Sequence, residues 1–402
     1  MKRILSLLCA LTALVLLAGG CAAETGGIEI PDIQLKTAYD IPDTEGLRFV
    51  RELKTGWNLG NTFDANDPGS WFHGSEVDIE SMWCGVKTSR ELIRAIREAG
   101  FGVIRIPVSW HDHVDENDNV SAEWLARVKE VVGWAVEEGL YVIVNVHHDN
   151  KAEFFYPDTA HLERSKAYLS AVWRQMAETL AEFDDHVILE SLNEPRLAGR
   201  GAIEWNFDET HPDCIDAANC INELNQLFVD TVRATGGNNA TRYLLIPGYS
   251  GSLDGVKTSL FRMPEDTAEG RLIIECHAYW PYDFALNLNN RADVTFELTD
   301  TAKTGSIDYL VDTLYTKFVS QGIPVLLDEY GALNKGGNLQ ARVNHAAYYV
   351  AAASARGITC CYWDNHNFSG NGEQFGLIDR KTCEWKYPEI VEAIMLNCMK
   401  GR

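Results

Sequence analysis

The stretch 186–196, HVILESLNEPR, decides the reading of the fold. Its first half is a continuous apolar run with β-branched residues, the pattern of a strand covered on both faces. Its second half turns polar at Asn193 and Glu194 and breaks at Pro195. A carboxylate at the C-terminal end of a buried strand is costly to place unless something uses it. In a barrel of parallel strands, those ends are where the chemistry sits. A second stretch of the same kind, 323–331, IPVLLDEYG, carries Glu329 at its end. The rest of the chain reads as a scaffold that brings Glu194 and Glu329 together.

Working outward, strand-like runs are predicted at 56–60, 103–107, 141–146, 187–192, 243–247, 272–276, 324–328 and 358–363. Amphipathic helices alternate with them. The run 88–99 places Leu92, Ile93 and Ile96 on one face and stops at Gly100. The run 121–138 opens on Ser121 as a cap and stops at Gly139. Further helices are predicted at 163–183, 219–235, 306–321, 341–356 and 388–398, and the helix after the fifth strand has the weakest pattern. Strands alternating with helices imply parallel pairing, so the fold class is α/β, a single (β/α)8 TIM barrel over 46–402. The alternative, an open doubly wound sheet, usually carries a glycine-rich cofactor turn after its first strand. No GxGxxG or phosphate loop is present, and no cofactor is expected.

The strand ends gather unusual residues: Trp57, Asn58 and Asn61; Arg105, Trp110 and His111; Asn145, His147 and His148; Asn193 and Glu194; His277 and Tyr279; Glu329; Trp363. Side chains alternate across a strand. Asp328 and Glu329 are therefore expected to face opposite ways, while His277 and Tyr279 both face inward. Glu190 shares a face with Glu194 about 13 Å deeper along the strand, as a structural acid of the barrel interior. Arg105 reads either as a structural ion-pair partner or as the cation beneath a carboxylate. His147, His148 and Asp149 lack the recurrence of a metal site, and no metal is expected. Trp71, Phe72, Trp83, Trp205, Phe207, Trp280 and Phe368 fall in loops, where aromatic faces either pack or stack on sugar rings.

The N-terminus carries Lys2 and Arg3 before an apolar run at 4–17, the pattern of a secretory signal over 1–20. Ala18-Gly19-Gly20-Cys21 resembles a lipoprotein signal box, with Cys21 as the lipidation site and 21–45 as a tether. The alternative is ordinary cleavage after Ala23. Export is expected, to the cell surface or outer membrane as a lipoprotein, otherwise secreted or periplasmic. The net charge of −23 argues against nucleic acid and against an acidic polymer, and fits a neutral substrate. Besides Cys9 and Cys21 there are cysteines at 84, 214, 220, 276, 360, 361, 383 and 398. Cys214 with Cys220, and Cys383 with Cys398, are possible disulfides in an exported chain. A monomer is expected.

The segments GWNLGNTFDA (56–65), GFGVIRIPVSW (100–110), YVIVNVHHDN (141–150), LESLNEPR (189–196), INELNQLFVDTVRATGGNNATRYLLIPGY (221–249), HAYWPYDFAL (277–286), LLDEYGAL (326–333) and YWDNHN (362–367) resemble family 5 of the glycoside hydrolases. Within it they are most similar to subfamily 4, the endo-β-1,4-glucanases and xyloglucanases. The resemblance implies Glu194 as acid/base and Glu329 as nucleophile. It implies Arg105, His147, Asn193, His277, Tyr279 and Trp363 as their companions, with Asn58 and His148 at positions that touch sugar. Trp83-Cys84-Gly85 departs from the usual Trp-Gly-Asn. The expected activity is retaining hydrolysis of internal β-1,4 linkages in β-glucan, whether cellulosic, mixed-linkage or xyloglucan. Arg105 and Tyr279 are expected to favour the charged form of Glu329, whose charge then raises the pKa of Glu194. The alternatives are a xylanase or mannanase on the same barrel, and a non-catalytic glycan-binding lipoprotein.

Overall fold

A computed structural model describes residues 27–401. The expected signal peptide, Cys21 and the first residues of the expected tether lie outside the described residues. The eight predicted runs form β1 (Gly56–Leu59), β2 (Val103–Ile106), β3 (Tyr141–Val144), β4 (Val187–Glu190), β5 (Leu244–Ile246), β6 (Leu272–His277), β7 (Val325–Tyr330) and β8 (Thr359–Asp364). All neighbours pair in parallel, and β1 pairs with both β2 and β8, which closes the barrel. Several of the helices start on side-chain caps of Ser or Asp: Ser89 accepts from Leu92 N, Ser121 from Trp124 N, and Asp300 from Ala302 N and Lys303 N. The helix Pro212–Ala234 starts earlier than its apolar pattern, because Pro212 sits at its first turn and His211 caps it. After β5 only the short helix Leu253–Lys257 forms. Among the described residues, no helix is long and apolar enough to cross a membrane.

The barrel interior has two layers, and residue alternation builds both. Val103, Ile143, Ile188, Leu245, Ile273, Leu326 and Cys361 form an apolar lower layer. Phe49, Val50 and Leu53, from the helix Glu45–Glu52 and its C-cap, close it from below, with Phe49 stacked on Tyr243 at 3.7 Å between centroids. Two residues further along the same strands come Asn58, Arg105, Asn145, Glu190, Glu275 and Asp328, all fully buried. The apolar plug below keeps water from this polar layer, which must satisfy itself.

One irregularity changes the upper rim. Glu275 pairs with Leu326 but His277 with Glu329, and Leu327 pairs with Cys360 but Tyr330 with Tyr362. Both neighbours count one residue fewer than β7, so β7 carries a bulge around Asp328. Asp328 and Glu329, expected on opposite faces, therefore both turn inward: Arg105 lies 3.4 Å from Asp328 and 2.6 Å from Glu329. Tyr330 turns outward and stacks on Tyr349 at 4.5 Å.

All eight described cysteines are free, which corrects both expected pairings. Cys214 and Cys220 sit six residues apart on one helix, roughly 9 Å along its axis, beyond disulfide reach. Residues 27–44 have no regular structure and lie along the barrel. Ile33 N donates to Asn397, Tyr39 to Asp312 and Thr44 to the carbonyl of Gly322.

Gly56 has no room for a side chain, since a Cβ there meets Cys361 Sγ at 2.3 Å and Val103 Cγ1 at 2.7 Å. Gly56→Ala should cost about 1–3 kcal/mol of stability in urea unfolding. An unchanged midpoint would mean the lower layer is looser than described.

Candidate active site

Arg105 organises the site. It rises from β2 into the polar layer, fully buried, and its charge must be met on the spot. Its Nε and Nη2 donate to the two oxygens of Glu190, each at 2.7 Å. Nη1 donates to Glu329 at 2.6 Å and to Asn58 Oδ1 at 3.0 Å, and Nη2 also donates to Asn193 Oδ1 at 2.8 Å. Both sequence readings of Arg105 hold, because Glu190 anchors it and Glu329 receives it. Asn145 donates to Glu190 at 2.8 Å and meets His147 Nδ1 at 3.0 Å, which steadies both.

Glu329 accepts a second bond, from Tyr279 at 2.9 Å. Burial and the Glu329 charge raise the Tyr279 phenol well above its ordinary range, so it stays a donor. Across the cavity, Glu194 meets His277 Nδ1 at 3.0 Å. One oxygen of Glu194, one of Glu329 and a ring nitrogen of His277 all lie within 4.8 Å of one another. Burial opposes charge on His277, but Glu329, Asp328 and Glu194 outweigh it and push the imidazole up to about 9. Burial likewise raises the Glu194 carboxyl, yet the hydrogen bond and charge of His277, with the fields of Arg196 and His148, bring it below the ordinary range. The expected upward shift of Glu194 is thereby corrected for the ligand-free protein: His277 holds the proton of this pair.

The other expected residues fall into two groups. His147, His148 and Trp363 line the cavity together. The rings of His147 and Trp363 are near-parallel at 5.9 Å, and those of His147 and His148 lie 4.4 Å apart. Burial drives His147 well down and His148 down to about 4, so both rings are neutral. Asn58 belongs elsewhere. It is fully buried, donating to the carbonyls of Asp328 and Tyr362 and accepting from Arg105. Expected to touch sugar, it instead supports Arg105 from below. Asp149, weighed as a metal ligand with His147 and His148, turns away to accept from Trp110 N, His111 N and Tyr168.

Three features are not named as site residues in the sequence reading. Arg196 lies 3.9 Å from Glu194 Oε2 and over the Trp205 ring at 4.0 Å. Its place two residues after Glu194 was the available signal. Trp83, in the departing Trp83-Cys84-Gly85 segment, is half-exposed with its ring 5.9 Å from that of His148. Glu275 and Asp328 lie buried under His277, and nothing in periodicity marks them.

Two carboxyls in direct-attack range at the C-terminal mouth of a (β/α)8 barrel, one fed by two donors and one sharing a proton, define a glycoside hydrolase. Comparison with known proteins agrees. Residues 64–369 match the model of the cellulase family, glycosyl hydrolase family 5. Endoglucanase 1 of Ruminococcus albus is 40% identical over 374 residues, covering 92% of this chain and 86% of that protein. A family 5 lichenase from Caldicellulosiruptor sp. F32, solved as a mutant with cellotetraose, is 48% identical with a TM-score of 0.91, covering 92% of this chain and 100% of that one. A GH5-4 broad specificity endoglucanase from Ruminococcus champanellensis with bound cellotriose is 37% identical with a TM-score of 0.80, covering 89% and 100%. The chain belongs to family 5 of the glycosyl hydrolases, and it is a glycoside hydrolase similar to endoglucanases and to a lichenase.

Arg105 is the cation on which Glu190, Asp328 and Glu329 rest. Arg105→Met should cost about 3–5 kcal/mol in denaturant unfolding, because it leaves buried carboxylates unpaired. A loss under 1 kcal/mol would show that the carboxyls are held by other means.

Proposed function

We propose that the protein is a retaining endo-β-1,4-glucanase working by double displacement, with Glu329 as nucleophile and Glu194 as acid and then base. The observation that carries this reading is the approach of the Glu194 and Glu329 oxygens to within 4.8 Å. Retaining enzymes need carboxyl groups about 5–5.5 Å apart, whereas inverting enzymes need room for a water between them. Arg105 and Tyr279 orient Glu329 for attack on the anomeric carbon. Glu194 gives its proton to the departing oxygen, then takes one from the water that opens the glycosyl-enzyme. Asn193, its Oδ1 held by Arg105, offers its amide to the 2-hydroxyl of the reacting sugar. His147, His148 and Trp363 support that ring.

A β-1,4-glucan is the favoured substrate. Support comes from the cello-oligosaccharides bound in the related structures and from the half-exposed Trp83 and exposed Trp71 and Trp205, which offer flat apolar faces. The net charge of −23 suits a neutral polymer. Xylan and mannan are the competing polymers, and reducing-sugar release from these beside cellulosic glucan, lichenan and xyloglucan ranks them directly.

Glu329→Gln should lower kcat about 10⁴-fold or more while the melting curve stays cooperative. Proton NMR of the first products should show the β-anomer. Early α-anomer, or a folded Glu329→Gln enzyme near the native rate, is incompatible with double displacement.

Export as a lipoprotein anchored through Cys21 is the proposed localisation, resting on Lys2, Arg3, the apolar run 4–17 and the box before Cys21. Cys21→Ser should move the protein from the membrane to the soluble fraction in a bacterial host. Equal partitioning of the two forms would favour plain cleavage.

A further inference from the structure

Below the catalytic pair lies a group of acids that the chemistry above does not use. Glu275, on β6, and Asp328, at the β7 bulge, are both fully buried. Neither oxygen of either carboxyl has a hydrogen-bond partner among the described residues, and neither does His277 Nε2. The three groups nonetheless face one another: Nε2 stands 3.6 Å from Glu275 Oε1 and 3.6 Å from Asp328 Oδ1. The other ring nitrogen, Nδ1, meets Glu194 at 3.0 Å and Glu329 at 3.6 Å. The imidazole thus bridges two carboxyl pairs, a working pair above and a sealed pair beneath.

The ring is held in this orientation. His277 N donates to the Gly251 carbonyl at 2.6 Å. Gly251 itself takes a left-handed φ of 57° and packs so closely that a Cβ there meets His277 Cγ at 3.4 Å and the Asn193 carbonyl at 3.1 Å.

The titratable groups facing His277 are Glu194 beyond β4, Glu275 on β6, Asp328 and Glu329 on β7, and the neutral His147 beyond β3, with Glu190 on β4 beside Glu275. Arg105 on β2 is the cation beneath them, and Arg196 lies 3.9 Å from Glu194. Tyr279 and the thiols of Cys276 and Cys361 stay protonated, raised well above their usual range by burial first and nearby charge second. Five carboxyls against Arg105, Arg196 and His277 cannot all ionise in an interior closed to water. Protons make up the difference, and they settle where no donor competes. Burial and its acidic neighbours keep the Glu275 carboxyl well up, and the same causes push Asp328 up to about 8.

We propose that Glu275 and Asp328 are positioning residues: the two sealed carboxyls share one proton, hold a proton on His277 Nε2, and so leave Nδ1 as the ring atom that trades a proton with Glu194. The inference rests on the reading of Glu194 as acid/base. In the resting protein Nδ1 carries the proton and Glu194 is a carboxylate. When Glu194 must act as acid, the Nδ1–H bond breaks and an O–H bond forms on Glu194. The electron pair stays on Nδ1, and His277 is left neutral with its Nε2–H intact. The negative charge beneath sets how long, as pH rises, the His277–Glu194 pair keeps this proton. The logic is that of an acid orienting a catalytic histidine, moved one layer below the reacting groups.

The test compares the wild-type enzyme with Glu275→Gln/Asp328→Asn, which removes the charge at constant shape. Two substrates are used: soluble β-glucan, whose leaving group needs a proton, and dinitrophenyl β-cellobioside, whose leaving group departs without one. Lowering the negative charge weakens the hold on the shared proton. The alkaline limb of kcat/KM on glucan should move down by about one pH unit or more. At pH 7.5 the loss on glucan should exceed the loss on the aryl glycoside about tenfold. Each single variant keeps one carboxyl to carry the charge and should move the limb less. A superimposable pH profile, or equal losses on both substrates, overturns the proposal. If the double variant does not fold, ¹⁵N-histidine NMR of the wild type decides instead, since an Nε2 without its proton at pH 6–8 is incompatible with the proposal. A wild-type enzyme inactive on both substrates would instead sink the glucanase reading.

Discussion

A single buried guanidinium holds the site together. Arg105 ties β2 to the acid of β4, the asparagine before Glu194 and the glutamate at the end of β7. None of these bonds is local in sequence, so they form only when the barrel closes. The bidentate contact with Glu190 matters as much as the contact with Glu329. Without that anchor the long Arg105 side chain would be free to choose among the other acids around it, and Glu329 would lose its fixed direction.

The same interaction explains why the two glutamates differ. Glu329 takes bonds from Arg105 and Tyr279, two donors that do not give up their protons. Glu194 meets an imidazole, a partner whose proton is mobile. Identical side chains a few ångströms apart thus acquire a fixed acceptor role and a proton-exchanging role from their neighbours alone. Burial adds little discrimination, because it acts on both in the same sense.

Much of this was legible in the sequence, and the failures have physical causes. Runs that are mostly continuously apolar marked all eight strands, as burial on both faces requires. Glu194, Glu329, His277 and Tyr279 were legible from their place at strand ends, and Glu190 from its parity with Glu194. The parity rule then failed at Glu329. It assumes an unbroken pleat, and the β7 bulge adds one residue that neither side-chain type nor periodicity announces. Asn58 failed for a related reason. Its type suits a sugar hydroxyl as well as a guanidinium, and only the depth of its layer separates the two. The pKa direction at Glu194 depended on His277 being charged, which in turn depends on how closely Glu329, Asp328 and Glu194 surround its ring.

Those acids sharpen the last point. Burying Glu275 and Asp328 with no hydrogen-bond donor costs stability that an apolar pair at the same positions would not. Local rules broken without a structural return are expected where function demands them. Glu329 reaches the cavity beside Asp328 only because the bulge turns it inward. The irregular strand and the two inward acids at 328 and 329 are thus one feature rather than two. A regular β7 would present Asp328 or Glu329 to the cavity but not both, and His277 would then face acid on one side only. The bulge is what lets consecutive residues set one carboxyl above and one below the His277 ring.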